Sequence, residues 1–132
     1  LPALCAMKLH LDNNANTNII TGYGEDHVLI NKVRHEGNLL VTAGEVVGGW
    51  ASGGFDALSA DDFEAVRALG VEIVLIGTGR RQRFPAPVLL RPLIDARIGF
   101  EAMDLAAACR TYNILVGEGR SVAAALLFDP PR

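Results

Sequence analysis

The stretch that most constrains this chain is Val71 to Phe84, VEIVLIGTGRRQRF. Val71 to Ile76 is rich in β-branched residues and carries one charge, Glu72. A short apolar run without polar alternation predicts a strand covered on both faces. The run stops at Gly77-Thr78-Gly79. Arg80, Arg81 and Arg83 follow, then Pro85 and Pro87. A buried strand thus delivers a flexible, basic loop to the surface. In open α/β sheets ligands gather at that end of the strands.

The rest of the chain supplies the setting. Its 132 residues predict one domain: an N-terminal extension and loop over 1–18, then an α/β unit over 19–132. Half the residues are hydrophobic, one-fifth are charged, and the net charge is −3. That composition is globular and soluble, and it disfavours nucleic acid as a partner. Cys5 and Cys109 are too far apart for a CxxC or a metal-ligand spacing. A reduced cytoplasmic protein without metal or cofactor is the simplest reading. The longest apolar run, Val122 to Phe128, falls far short of the ~20 residues of a membrane helix. Met7 opens a more native-looking start, so Leu1 to Ala6 are expected to lie upstream of it.

Asp12 to Asn18 predicts a polar loop. Ile19–Tyr23, His27–Val33 and Asn38–Thr42 read as strands of an antiparallel meander, with turns at Gly24–Asp26 and His35–Gly37. Gly44 to Phe55 reads as a Gly-rich loop around the only tryptophan. Trp50 is there either a ligand-facing platform or an anchor folded onto the core. Ser59 predicts a helix cap before Asp61 and Asp62, with Phe63, Val66 and Leu69 on one face and Gly70 as the stop. Pro85 to Arg97 predicts a helix that Pro92 kinks or delays to about Leu89. Ile98 to Met103 reads as a strand and Asp104 as the cap of a helix over Leu105 to Leu115. Val122 to Phe128 is ambiguous, because alanine favours helix. Its Gly-rich entry and the Asp129-Pro130-Pro131 stop favour a buried strand. The alternation predicts an α/β mixed sheet, with strands 71–76 and 98–103 parallel neighbours through a right-handed crossover.

GTGRR after a strand invites a dinucleotide reading. The third glycine is missing, since position 82 is Gln, and no helix begins before Pro85. No GKS or GKT is present to make a P-loop. What remains is a looser site: the amides of Gly77, Thr78 and Gly79 with Arg80 or Arg81. A solvated basic turn is the plain alternative. Asp104 reads first as a cap, second as an acid or base beside the arginines. Cys109, in an alanine-rich helix, reads as a small buried thiol. Ser52 and Ser59 lack a nucleophile setting, and His10, His27 and His35 have no metal spacing. No complete catalytic set is present.

VEIVLIGTGRRQRFP, IGFEAMDLAAACRTYNILVGEGRSVAAAL, YGEDHVLIN and EGNLLVTAGEVVGGW together carry a resemblance over roughly residues 19 to 128. The chain resembles the conserved-hypothetical, domain-of-unknown-function family that includes mitochondrial NADH:ubiquinone oxidoreductase complex assembly factor 3. The resemblance implies a three-layer α/β fold: a central mixed sheet with helices and an added antiparallel β layer from the N-terminal half. It supplies no catalytic residues. Leu105 stands where the pattern suggests a threonine, which weakens any site built on a hydroxyl there.

Two functions are expected from these residues. The first is a non-catalytic binding or assembly role, with Gly77, Thr78, Gly79, Arg80, Arg81, Asp104 and Trp50 forming a surface for a protein partner or small anion. The second is an enzyme for a small phosphate- or carboxylate-bearing substrate held at the same loop. Monomer and homodimer both remain open.

Overall fold

The computed structural model describes residues 17–130. The segment Leu1–Ala6 and most of the loop from Asp12 lie outside the described residues. Eight strands form: β1 Ile20–Tyr23, β2 His27–Ile30, β3 Val33–Glu36, β4 Leu39–Thr42, β5 Val46–Gly48, β6 Ile73–Gly77, β7 Gly99–Met103 and β8 Val122–Leu126. The helices are α1 Ala60–Arg67, α2 Arg91–Asp95 and α3 Leu105–Gly117. Strands β1-β2-β3 make an antiparallel sheet. The central sheet has the order β5-β4-β8-β6-β7. In it β8, β6 and β7 run parallel, and β4 runs antiparallel to β5 and β8. This is the expected three-layer α/β architecture, with an added antiparallel β layer.

The central sheet alternates between two apolar cores. Leu39, Val41, Leu75, Ala124 and Leu126 face α3 and the three-stranded sheet. Leu40, Val74, Ile76, Ala125 and Leu127 face α1, α2 and Trp50. With water excluded from both faces, neither side of these strands can be polar. β8 is the extreme case: all five of its residues are buried, with neighbours on both edges. Its three alanines therefore form a strand despite their helical preference. Pairing and burial outweigh a propensity of well under 1 kcal/mol per residue.

The N-terminal half differs from expectation at one hairpin and in one added strand. His27–Val33 is not one strand. It reverses at Asn31-Lys32, where φ is 52° and 69°. That left-handed pair is the tight-turn geometry whose twist matches antiparallel strands. His35 and Glu36 consequently belong to β3, and the bend falls at Gly37, with φ 82°. β5 also emerges from the supposed Gly-rich loop, because Val46 and Val47 pair with β4. The sheet strands are shorter than expected: β6 starts at Ile73, β7 at Gly99, and β8 ends at Leu126.

The helices form where the caps predict. Ser59 and Asp62 make a reciprocal capping box at α1. One turn of 3-10 helix over Pro87–Leu90 leads into α2. Pro92 sits in the first turn of α2, where its missing N–H costs nothing. Asp104 caps α3 by accepting from the Ala107 amide at 2.8 Å.

The segment Thr111-Tyr112-Asn113 fastens the N-terminal layer to α3. The Asn113 side-chain amide copies a strand neighbour. It accepts from the Ile20 N–H at 2.8 Å and donates to the Ile20 carbonyl at 2.7 Å. The fully buried Tyr112 donates to the Asn18 carbonyl at 2.8 Å. Replacing Asn113 by Ala strands both polar groups of Ile20. We expect a loss of about 1–3 kcal/mol in urea unfolding, with faster exchange of the Ile20 amide. Unchanged stability and exchange would show that the clamp is idle.

Candidate functional site

The loop after β6 is built from its own atoms outward. Gly77 is buried beneath α3: a Cβ there would lie 3.0 Å from the Ala108 Cβ and the Leu126 Cδ2. Only a bare backbone lets the helix sit that close to the sheet. Thr78 is completely buried. Its N–H donates to the Met103 carbonyl at 2.8 Å. Its hydroxyl lies 2.7 Å from the Arg81 carbonyl and 3.1 Å from that of Met103, and accepts from the Arg83 amide at 3.0 Å. The threonine thus ties the ends of β6 and β7 together and folds the loop back on itself. Gly79 has φ 90°, and a Cβ there would fall 2.6 Å from the Asp129 carboxylate. Its carbonyl accepts from the Leu105 N–H at 2.8 Å, joining the loop to the start of α3.

Asp129 is the residue that sequence reasoning missed, because Asp129-Pro130-Pro131 marks only a stop in the chain. Its side chain is 12% exposed. It accepts from the Arg80 backbone N–H at 2.7 Å, and lies 3.4 Å from both the Arg80 Nε and an Arg83 terminal nitrogen. Arg83 also stacks on Phe55, with its guanidinium carbon 4.1 Å from the ring centre. The missed signal was topological. β8 is the parallel neighbour of β6, so the residues just past its end share an edge with Gly77–Gly79.

Two clefts flank this loop. One of about 290 Å³ runs between the β1–β2 turn and the start of α3, lined by Tyr23, Arg80, Asp104, Leu105, Ala106, Phe128 and Asp129. The other, of about 470 Å³, lies among Asp26, Glu36, Asn38, Trp50, Phe128 and Asp129. At its rim, a hydrogen bond from His27 and the nearby Arg34 hold Asp26 below the usual carboxylate range. Asn38 braces this side by accepting from the Phe128 amide at 2.7 Å and donating to the Ala51 carbonyl at 2.8 Å.

The structure brings Gly79, Arg80 and Asp104 together at the first cleft. Arg81 is exposed and makes no ion pair with any described residue. Trp50 sits apart from them. It is buried at 5% exposure, packs edge-on to Phe63 and donates from Nε1 to the Asp62 carbonyl at 2.8 Å. It anchors the Gly-rich loop and forms part of the second cleft. Cys109 lies in the core under α3, outside both clefts. Burial pushes its thiol up to about 12. The described residues contain no group of side chains able to hold a metal ion. No described helix is long and apolar enough to cross a membrane.

A small α/β domain with a mixed sheet covered on both faces, and a basic, self-bonded loop at the ends of its parallel strands, is the class these features define. The chain belongs to the family described as "Protein of unknown function (DUF498/DUF598)", matched over residues 20–127. It is 38% identical over 113 residues to an uncharacterized protein of Rhodobacter capsulatus, covering 84% of this chain and 85% of that one. It is 35% identical over 83 residues to the bovine NADH dehydrogenase [ubiquinone] 1 alpha subcomplex assembly factor 3. That match covers 61% of this chain and 45% of the bovine protein, so the chain spans less than half its length. A crystal structure from Bordetella parapertussis superposes with a TM-score of 0.78 at 39% identity, covering 86% of this chain and 97% of that one.

Two outcomes check this geometry. Thr78→Val removes a buried hydroxyl that bridges two strands and a loop. We expect about 1–3 kcal/mol of destabilisation in urea, mostly recovered by Thr78→Ser. Native Cys109 should resist iodoacetamide at pH 8 and react on unfolding, read by peptide mass spectrometry. Its folded value lies above the ordinary 9.0. The stability it contributes is therefore present below pH 9 and is lost as the pH rises towards 12.

Proposed function

We propose that this chain is a non-catalytic protein-binding module of the assembly type. It recognises a partner with the end of the domain that carries the Gly77–Arg83 loop, the start of α3 and the apolar cleft between Tyr23 and Phe128. The observation that carries this reading is that the side-chain acceptors around the loop are already spent on the fold's own amides. Thr78, Asp104 and Asp129 each hold backbone amides in place. What faces outward at the cleft is a surface of apolar and aromatic side chains with Arg80 and Glu25 at its edge, and aromatic and arginine side chains are enriched in protein interfaces. The bovine relative, named as an assembly factor, supports the same reading. A reducing, cytoplasmic setting accords with the free thiol of Cys109.

The enzyme reading needs Asp104 or Cys109 to act beside Arg80. Asp104 is committed to the Ala107 amide, and Cys109 does not line the cleft that Arg80 lines. A small anion at Arg80 would also have to compete with the Asp129 carboxylate.

Affinity purification of the tagged full chain from its source cell, with cross-linking, tests the proposal. Ala106→Glu changes the cleft wall and Arg81→Ala the exposed face of the loop, without touching the core or the Asp129 pairs. Each should lower recovery of a reproducible partner about tenfold at unchanged thermal stability. No reproducible partner, or full recovery with both variants, overturns it.

A further inference from the structure

β7 is an edge strand, paired only with β6. In that parallel ladder the Gly99 N–H donates to Glu72 and the Met103 carbonyl accepts from Thr78. The odd-numbered residues of β7 therefore turn their peptide groups inward. Phe100 and Ala102 turn theirs to the open side. Among the described residues, only one of those outward groups is met. The Gln82 side-chain amide donates to the Ala102 carbonyl at 2.8 Å, a bond that an added strand would make. Gln82 belongs to the same loop as the basic cluster.

The surface beside this edge is mostly apolar, with Gln82 and the carboxylate of Glu101 as its polar members. A groove of about 400 Å³ is walled by Phe84, Pro85, Leu90 and Phe100. Phe84 is 73% exposed, and Val88 is 69% exposed in the turn that follows. Two cations bracket the strand in sequence. Arg97 precedes its start, and Arg81 adjoins the Gln82 that caps its far end. Both are exposed, and neither makes an ion pair with a described residue.

We propose that the β7 edge is a strand-addition site for an extended segment of a partner protein. The segment has apolar side chains at alternate positions and a carboxylate towards each end. Its backbone replaces the Gln82 cap and bonds to Phe100 and Ala102, its apolar side chains fill the groove, and its carboxylates meet Arg97 and Arg81. Gly99 to Met103 spans roughly 13 Å, four residue steps, so carboxylates set one residue beyond each end of that span stand about six residues apart. A second copy of this chain is a worse occupant. Antiparallel pairing centred on Glu101 would set two Glu101 carboxylates against each other, and like charges directly opposite destabilise a sheet. The proposal rests on the protein-binding reading above and adds to the cleft a second contact for the same partner, on the other side of the loop.

The test uses the full chain, labelled with nitrogen-15, and the capped peptide Asp-Val-Thr-Val-Thr-Val-Asp. Hydrogen exchange at the Phe100 and Ala102 amides should slow about tenfold on binding, while Gly99, Glu101 and Met103 stay as they were. Arg97→Glu should weaken binding about fivefold, and a peptide with lysines at both ends should bind least. Gln82→Ala, which uncaps the edge without altering the core, should tighten binding about threefold. No binding at millimolar peptide, or protection that ignores the odd–even alternation, overturns the proposal. So does a footprint at the cleft by Asp104. If cross-linking finds a partner whose contacts depend on Ala106 and spare Phe100, strand addition falls and the assembly reading stands. Failure of the assembly reading instead appears as no partner in the cross-linking experiment, whatever the peptide does.

Discussion

A sheet covered on both faces is the constraint on which the remainder of this structure depends. β8 shows it in its strictest form, with partners on both edges and apolar layers above and below. Small residues in that strand allow the layers to come close. The same need recurs at Gly77, where α3 leaves no room for a Cβ. Because the helix packs so near, its first turn sits beside the loop leaving β6. The carbonyl of Gly79 then reaches the amide of Leu105. The basic surface is thus a consequence of core packing.

Asp129 gives that surface its shape. One nearly buried carboxylate gathers the Arg80 amide and two guanidinium groups. Burying a carboxylate is unfavourable unless it is paired and hydrogen-bonded, and here it is both. The arginines are in turn partly neutralised and fixed. A loop that would otherwise be a mobile cluster of positive charge becomes a preformed one. Preorganisation of this kind lowers the entropy lost when a partner binds. Arg81, left out of the network, retains its full charge at the rim.

Much of the architecture was legible because local chemistry and tertiary need agree. Apolar runs between glycines gave the buried strands. Ser59 and Asp104 gave the helix starts through their side-chain oxygens. Where the two disagree, the reading slipped. Asn31-Lys32 turns without a glycine, so the β2–β3 hairpin resembled one strand. Val46-Val47 lies among glycines, so β5 resembled loop. Of the candidate site, the sequence marked Gly77 to Arg81 and Asp104 but left Trp50 open between platform and anchor. Its indole nitrogen is used inside the fold.

By itself, the sequence determined the two-sided burial of the sheet, the alternation of helices and strands from Ala60 onward, and the family. Those follow from periodicity, caps and turn residues that act over a few positions. Only the tertiary structure decided which residues meet. Asp129 lies 49 positions from Arg80 yet bonds to it, and Asn113 lies 93 positions from the strand end it holds. The first contact exists because β6 and β8, distant in the chain, are neighbours in the sheet, and the second because α3 packs against the N-terminal layer. No local pattern encodes that adjacency, since it arises from how whole layers pack.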